Sequence, residues 1–428
     1  MKALSASTQI PNAYRAGVYL GEQLRSLQPE VVFLVSSIDY SNSNDILMGL
    51  NDGLEKPDCL IIGNSGDGFY ETQGIGEYGA SALALNSDGK VQWQLKIGHH
   101  VTEFPQQATR EALLNHEAAA LIFMVSDFHA DASLIEQVIE HEVKTPVVGG
   151  LAADDQQWDA CALYYNQTVL TDCVVALHAI GDIKFSIHIE NSITPIGKIG
   201  QIDAAYHNRI DQIDGVDAMR FVERETGKPI LRSDIGVISL NIIDQQNLKR
   251  LRSIRSDIGQ DARSIFLYGG INQGQKVQVC IAHPQQIIEE VYRIAHLAQQ
   301  QNLSNTAAII ISCAGRKNLL GEQLSHEVQA IQQSFDNLIQ HFQKMILILQ
   351  SVPSYNPNEV PFKVVTLQTQ LTNLTNLNNA ANTSYATLKN ARIQRNLFFY
   401  AKDTGALDIV KQVKAYVKSV YGASSQQY

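Results

Sequence analysis

The chain has 428 residues, with 33 Lys and Arg against 43 Asp and Glu for a net charge of −10, and 45% of its residues are hydrophobic. That length accommodates two or three domains. The acidic balance excludes nucleic acid as a main partner, because phosphate binding needs a basic face, and no apolar run approaches the roughly 18 residues of a membrane span.

Residues 1–9 hold one Lys and no apolar core, so no secretory signal is read there and a cytoplasmic setting is expected. The cysteines, Cys59, Cys161, Cys173, Cys280 and Cys313, are scattered, and four of them lie in apolar, strand-like sequence as reduced core residues would. No Cys-x-x-Cys or His-x-x-x-His spacing is present, so neither a metal nor a cofactor is expected. His99-His100, the adjacent histidine pair, reads as surface.

In chain order the first half alternates strands and helices. Val31 to Ser36 predicts a strand, Ile46 to Leu54 a short helix and Cys59 to Ile62 the next strand. Ala80 to Leu85 and Val91 to Ile97 read as a hairpin around the turn sequence Ser87-Asp88-Gly89. Thr109 to Leu114 is expected helical, Ala118 to Val125 a strand buried on both faces, Ser133 to Glu142 a helix, and Val147-Val148 closes the unit. This rhythm predicts a sheet covered by helices. Cys161 to Ile180 reads as two more strands, with Tyr164 and Tyr165 on opposite faces, and Lys184 to Ile189 as another. Trp93 and Trp158 read as packing residues.

The Pro195-Ile196-Gly197 region marks a change of domain. Asp217 to Glu225 predicts a helix stopped at Gly227. Ile235 to Ile242, Ser264 to Leu267 and Gln278 to Ala282 are strand-like. Arg250, Arg252 and Arg255 crowd a stretch expected to be a solvated loop. Pro284 starts a helix with Ile287, Val291, Ile294 and Leu297 on one stripe.

Residues 338–428 carry nine Lys and Arg against three Asp and Glu, a basic module on an acidic body. Helical phase through Leu320, Leu324, Val328, Ile331, Phe335 and Leu338 predicts one helix over about 320–350, ended by Pro353 and Pro357. A heptad seam from Val360 through Leu367, Leu374, Asn378 and Leu388 follows, then a last helix from Leu407 to Tyr421 capped by Gly422. The expected architecture is therefore a two-domain α/β body of mixed sheets with covering helices, in residues 1–190 and 191–337, plus an all-α C-terminal bundle in 338–428. The tail resembles small uncharacterised helical proteins and is either a natural fusion or a chimera.

Two strand-to-loop motifs carry the chemistry. Residues 145–155 run from an apolar strand into Gly149-Gly150 and then Asp154-Asp155, where a loop can present acceptor oxygens. Residues 306–316 run through an apolar strand at 307–311 into Ser312, Cys313, Gly315 and Arg316, whose guanidinium suits two-point binding of a carboxylate. One motif ends in acids and the other in a base, so the two can clamp a zwitterion such as an amino acid. A plain turn with surface carboxylates, and an Arg paired to a structural carboxylate, are the competing readings.

Gly149-Gly150-Leu151-Ala152-Ala153-Asp154 and Cys313-Ala314-Gly315-Arg316, with Leu319-Leu320-Gly321, resemble the FIST sensory domain family. In order with them stand Ile61-Ile62-Gly63-Asn64-Ser65, Ile193 to Gly197 with Ile213 to Ala218, and His283-Pro284, so the resemblance spans about 15–335 and both FIST domains. It implies an intracellular, non-enzymatic sensor of small ligands, amino acids among them, linked to signal transduction. The strand-end loops predict a pocket between the two domains built from Ser65, Gly66, Gly149, Gly150, Asp154, Asp155, Tyr268, Gly269, Cys313, Gly315 and Arg316, since ligands of such sheets sit at the carboxyl ends of strands. The chain departs from the family in carrying Asp67, and in lacking a Gly-Phe and Gly-Glu motif after 335, which predicts a second domain short of its last strands. Partners implied are a small amino acid or carboxylate, with a signalling protein or a second copy at 338–428. The alternatives are a cysteine-dependent enzyme using Cys313, with His283 and His326 nearest in sequence as bases, and a scaffold acting through the tail helices.

Overall fold

The computed structural model describes residues 1–40, 44–72, 74–114, 119–155, 157, 159–189, 191–231, 234, 237–243, 249–255, 263–300, 307–335, 337–376, 406, 409–410, 412–414 and 416. The chain divides into two compact units, Met1–Phe335 and Asp336–Tyr428.

The first unit opens with β1 (Lys2–Thr8), α1 (Ala13–Leu24), β2 (Val31–Ser37), α2 (Asp45–Leu54), β3 (Leu60–Gly66) and the small pair β4 (Phe69–Glu71) and β5 (Gly74–Gly76). It continues through β6 (Ala80–Asn86), β7 (Val91–His99), α3 (Pro105–Leu113), β8 (Leu121–Ser126), α4 (Ala132–Glu142), β9 (Val147–Leu151), β10 (Leu163–Tyr165), β11 (Thr168–Leu170) and β12 (Cys173–Gly181). Two mixed sheets result, in orders β1-β6-β2-β3-β10-β11 and β7-β12-β8-β9, with β2/β3 and β8/β9 as the parallel pairs.

Side-chain alternation assigns each face. From β2, Val32 and Leu34 meet Leu20, Leu24, Leu47 and Leu50 of α1 and α2, while Val31 and Phe33 point the other way. From β12, Val175 and Leu177 meet Val31 and Phe33, while Val174 and Ala176 meet Ala108 and Ala112 of α3 and Ile135 of α4. The layers run helix, sheet, sheet, helix. Strands covered on both faces explain the unbroken apolar runs of the sequence, and each such buried aliphatic side chain contributes about 1.5–3 kcal/mol. Tyr164 and Tyr165 do point to opposite faces, but both faces are packed.

Several expectations change. The first two elements, β1 and α1, carry little periodic signal: α1 buries Ala16, Gly17 and Gly21 beside Leu20 and Leu24, and glycines read as helix breakers. They are required because the α1 and α2 backbones touch; a methyl on Gly49 would lie 2.0 Å from the Tyr14 carbonyl oxygen. The turn at Ser87–Gly89 is real, but β6 and β7 do not form a hairpin. Glu30 accepts hydrogen bonds from Ser87 N, Ser87 Oγ, Gly89 N and Trp93 Nε1, and the chain crosses there to the other sheet, where β7 pairs with β12. Residues 161–180 hold three strands rather than two, and 184–189 hold none. Trp158 lies outside the described residues.

The second half of this unit contains β13 (Ile193–Tyr206), β14 (Arg209–Ile213), β15 (Val216–Asp217), α5 (Ala218–Thr226), β16 (Ile238–Ile243), β17 (Lys249–Ser253), β18 (Ile265–Phe266) and β19 (Lys276–Ala282). The sheet order is β15-β14-β13-β19-β16-β17, with β18 beside β14. Phe221 and Val222 of α5 complete its core with Leu240, Val277 and Val279. The chain then runs through α6 (Pro284–Gln300), α7 (Ala314–Leu320) and α8 (Ser325–Phe335). Leu320 packs on Ile287 and Ile288, and Ala330 on Val291 and Ala295. Among the described residues none after Ala282 lies in a strand. Residues 307–311, expected as a buried strand, have no regular secondary structure, with Ile309 46% and Ile311 54% exposed.

The two halves are joined at α4. Arg252, expected in a solvated loop, lies on β17 and is only 7% exposed. It donates from Nη2 to Glu136 Oε2 (2.6 Å) and Ser133 Oγ (3.2 Å), and from Nη1 to Glu136 Oε1 (3.2 Å). Arg250 Nη2 reaches Glu140 at 2.6 Å.

The second unit shows α9 (Asn337–Ser351), a 3₁₀ turn at Val360–Phe362 and a helix over 364–376, with Ile346 and Leu367 buried. The expected helix over 320–350 is interrupted by the 3₁₀ turn Gly321–Leu324, and its passage through Asp336 lies outside the described residues. The seam beyond residue 376 lies outside them too, as does most of the last expected helix, of which 409–410, 412–414 and 416 are helical. Among the described residues no helix is long and apolar enough to cross a membrane.

Candidate functional site

Strands β3 and β9 belong to different sheets, and their ends are stitched together by Ser65. This fully buried serine exchanges backbone hydrogen bonds with Ala162 O and Ala153 N, both at 2.9 Å. Its Oγ donates to Ala153 O at 2.6 Å and accepts from Ala162 N at 2.9 Å. Gly149 is glycine because β8 runs hard against it: at φ 153° a Cβ would stand 1.8 Å from the Met124 carbonyl oxygen. Gly150 is roomier: a Cβ there would stand 3.5 Å from the Ile311 side chain.

The two adjacent aspartates have different work. Asp154 is 2% exposed, and its carboxylate accepts from Gln157 N (3.1 Å), Asp159 N (2.7 Å) and Ala160 N (3.2 Å). Both oxygens are spent shaping their own loop. Asp155, with left-handed φ 56°, turns outward and pairs with Lys317 Nζ at 3.0 Å.

The opposing segment runs through the irregular stretch 307–313, with Cys313 exposed and α7 beginning at Ala314. Consecutive helical residues diverge by about 100°, which separates Arg316 from Lys317. Arg316 Nη1 donates to Glu327 Oε1 at 2.7 Å on α8. Glu327 is 2% exposed and also accepts from Ser312 Oγ (3.1 Å) and from the Tyr70 hydroxyl on β4. Burial, then the Glu327 charge, hold the Tyr70 hydroxyl far above the usual phenol range. Lys317 instead reaches the acidic loops, donating to the Asp67 carbonyl oxygen at 2.7 Å as well as to Asp155. Gly315 is buried behind them.

Asp67 completes the crevice. Its Oδ1 is buried with no hydrogen-bond partner among the described residues. Burial raises its carboxyl above the ordinary aspartate value, Lys317 pulls it back and Asp155 pushes it up again.

The acidic and basic segments therefore meet, with Lys317 rather than Arg316 supplying the basic group and Asp155, of the expected pair Asp154 and Asp155, the acidic one. Arg316 and Asp154 are committed to Glu327 and to the loop backbone. Gly269 and Gly270 lie against the start of α4, with Gly270 N donating to Asp131 Oδ1 at 3.0 Å and Ser133 Oγ donating to Gly270 O at 3.3 Å, while Tyr268 N donates to Ser253 O at 3.2 Å. The Arg255 guanidinium lies 5.5 Å from the Tyr268 ring centre. Sequence reasoning passed over Lys317, Tyr70 and Glu327. Glu327 left a readable trace, since it sits in phase with Leu320, Leu324 and Ile331 on an otherwise apolar stripe.

The model of the FIST N domain matches residues 29–216, and that of the FIST C domain matches 215–341. The chain belongs to the FIST family. FIST domains are sensory domains of signal transduction, and this protein carries both. In structure the sheet of the second FIST domain takes in β13, which starts at Ile193, ahead of the point where the two family matches meet. An uncharacterised protein of Methanocaldococcus jannaschii is 24% identical over 230 residues, covering 50% of this chain and 45% of the relative, so the FIST chain spans under half of that relative's length.

Proposed function

We propose that this FIST protein is a non-enzymatic sensor that binds a small amine-bearing ligand, an amino acid by class, in the crevice of residues 65–68, 150–155 and 312–317. The observation that carries this reading is the convergence of Asp155 and Asp67 from two loops with Lys317 of α7, at 3.0 Å or less for the two Lys317 contacts. A zwitterion inserted there exchanges one ion pair for two, its ammonium on Asp155 and Asp67 and its carboxylate on Lys317. Charge-assisted hydrogen bonds of this kind contribute about 1.5–3 kcal/mol each. Arg316 supports the site from behind by fixing α7 on Glu327. The cysteine-dependent alternative lacks a base: among the described residues no hydrogen bond joins Cys313 to a histidine, and nucleophilic catalysis requires one within reach. Residues 338–428 are the proposed surface for a signalling partner.

The test is a thermal-shift screen of the purified chain against the amino acids and small carboxylates, repeated on Asp155→Asn. A binder raises the melting temperature in proportion to its excess over the dissociation constant, and the Asn variant loses that response. If no amino acid shifts the wild-type chain, the sensor reading fails.

A further inference from the structure

Lys317 does more than line the crevice. Its ammonium already holds the position that a ligand's ammonium would take, between the Asp67 carbonyl oxygen and the Asp155 carboxylate. Its side chain is 25% exposed and that of Asp155 57%, so the pair is reachable from solvent. The acidic side of the crevice also keeps a buried oxygen without a partner, Asp67 Oδ1. The lysine is carried by α7, which is tied one residue earlier to α8 through Arg316 and Glu327, and α7 and α8 both pack on α6.

We propose that Lys317 is a tethered competitor for the ligand's ammonium group, an autoinhibitory contact that an incoming amine must displace and whose release loosens α7 and α8. This rests on the reading of the crevice as the sensor site. A half-exposed ion pair is weak enough to open thermally, yet a tethered ammonium competes at an effective concentration in the millimolar range. The ligand's apparent affinity is its intrinsic affinity scaled by the open fraction. Once released, Lys317 is the carboxylate partner available to a zwitterion, because Arg316 is held by Glu327. A simple alkylamine gains nothing from the released lysine, whereas an amino acid does.

The decisive probes are ethylamine and 1,4-diaminobutane, with glycine and alanine alongside, titrated by thermal shift and calorimetry into the wild type, Lys317→Met and Asp155→Asn. Removing the tethered charge should tighten alkylamine binding about fivefold, from the modest stability of an exposed pair, while weakening the amino acids. Asp155→Asn should bind neither class. Hydrogen exchange across 314–335 in unliganded Lys317→Met should quicken toward the rate of the ligand-saturated wild type, and Lys317→Gln should behave like Met if the charge matters rather than the stem. Alkylamines that bind the wild type but bind Lys317→Met no better overturn the tether and leave the sensor reading standing. Unchanged exchange in both variants also overturns it. No response of any probe in any of the three proteins sinks the crevice reading itself, and the tether with it.

Discussion

Replacing Arg316 with Ala should loosen α8 from α7 without unfolding the N-terminal body. The partner carboxylate, Glu327, is 2% exposed and keeps only Ser312 Oγ and the Tyr70 hydroxyl as neutral donors once the guanidinium is gone. Breaking a buried ion pair from one side costs about 3–5 kcal/mol, because a charge is stranded. The Arg316 side chain is 17% exposed, so water can replace part of what is lost and the lower end, about 3 kcal/mol, is the better figure. At about 1.4 kcal/mol per tenfold, the open population of α8 rises about a hundredfold. Hydrogen exchange of the amides in 325–335, followed by mass spectrometry, reads that population directly. The double variant Arg316→Met with Glu327→Leu should recover much of the protection, since no unpaired charge remains. Wild-type exchange rates in Arg316→Ala, or a double variant worse than the sum of the singles, would refute this account of the pair.

Arg252→Ala should lower stability by about 2 kcal/mol through loss of its charged hydrogen bonds, measured by urea unfolding, and Lys should not rescue it because the fork to Glu136 is lost. The neighbouring Arg250→Ala, with its more exposed pairs, should cost under about 1 kcal/mol. Gly49→Ala must push α1 off α2, and a drop in melting temperature matching about 3 kcal/mol or more is expected; a melt within a degree of wild type would show that the helices separate freely. At neutral pH a chromogenic disulfide should label Cys313 fast and the other four thiols only on unfolding. Cys59 and Cys173 are pushed up to about 12 by burial and Cys161 higher still, so at pH 7 their thiolate populations are negligible. Rapid labelling of more than one thiol in the native chain contradicts the packing described for β3, β10 and β12.

Much of the first domain could be read directly. Strands such as Val31–Ser37 are covered on both faces, and continuous apolar sequence signals that without a partner being known. What escaped were features set by contacts distant in sequence. The small residues of α1 make sense only against Gly49 and Leu50 of α2. The crossing at Ser87–Gly89 depends on Glu30, 57 residues from Ser87, and nothing local distinguishes it from a hairpin turn. The glycine-acid motif and the basic motif lie in segments that the Lys317–Asp155 pair brings together. Which residue of an adjacent pair faces in was not legible, because that depends on helix phase for Arg316 and Lys317 and on one left-handed residue for Asp154 and Asp155. The run 307–311 has the composition of a core strand, yet among the described residues it joins no sheet, and Ile309 and Ile311 stay about half exposed.

Strand β3 lies inside its sheet, laddered to β2 on one side and β10 on the other, whereas β9 is the outermost strand of its own sheet and is held by β8 alone. The two jaws of the crevice are therefore unequal in compliance. An adjustment at Gly150 to Asp155 disturbs one strand ladder and the Ser65–Ala153 hydrogen bonds, while movement of the Ser65 side must unzip two ladders. Displacement of one wall against the other would therefore fall first on the β9 lip, leaving the sheet that supports the opposite wall in place.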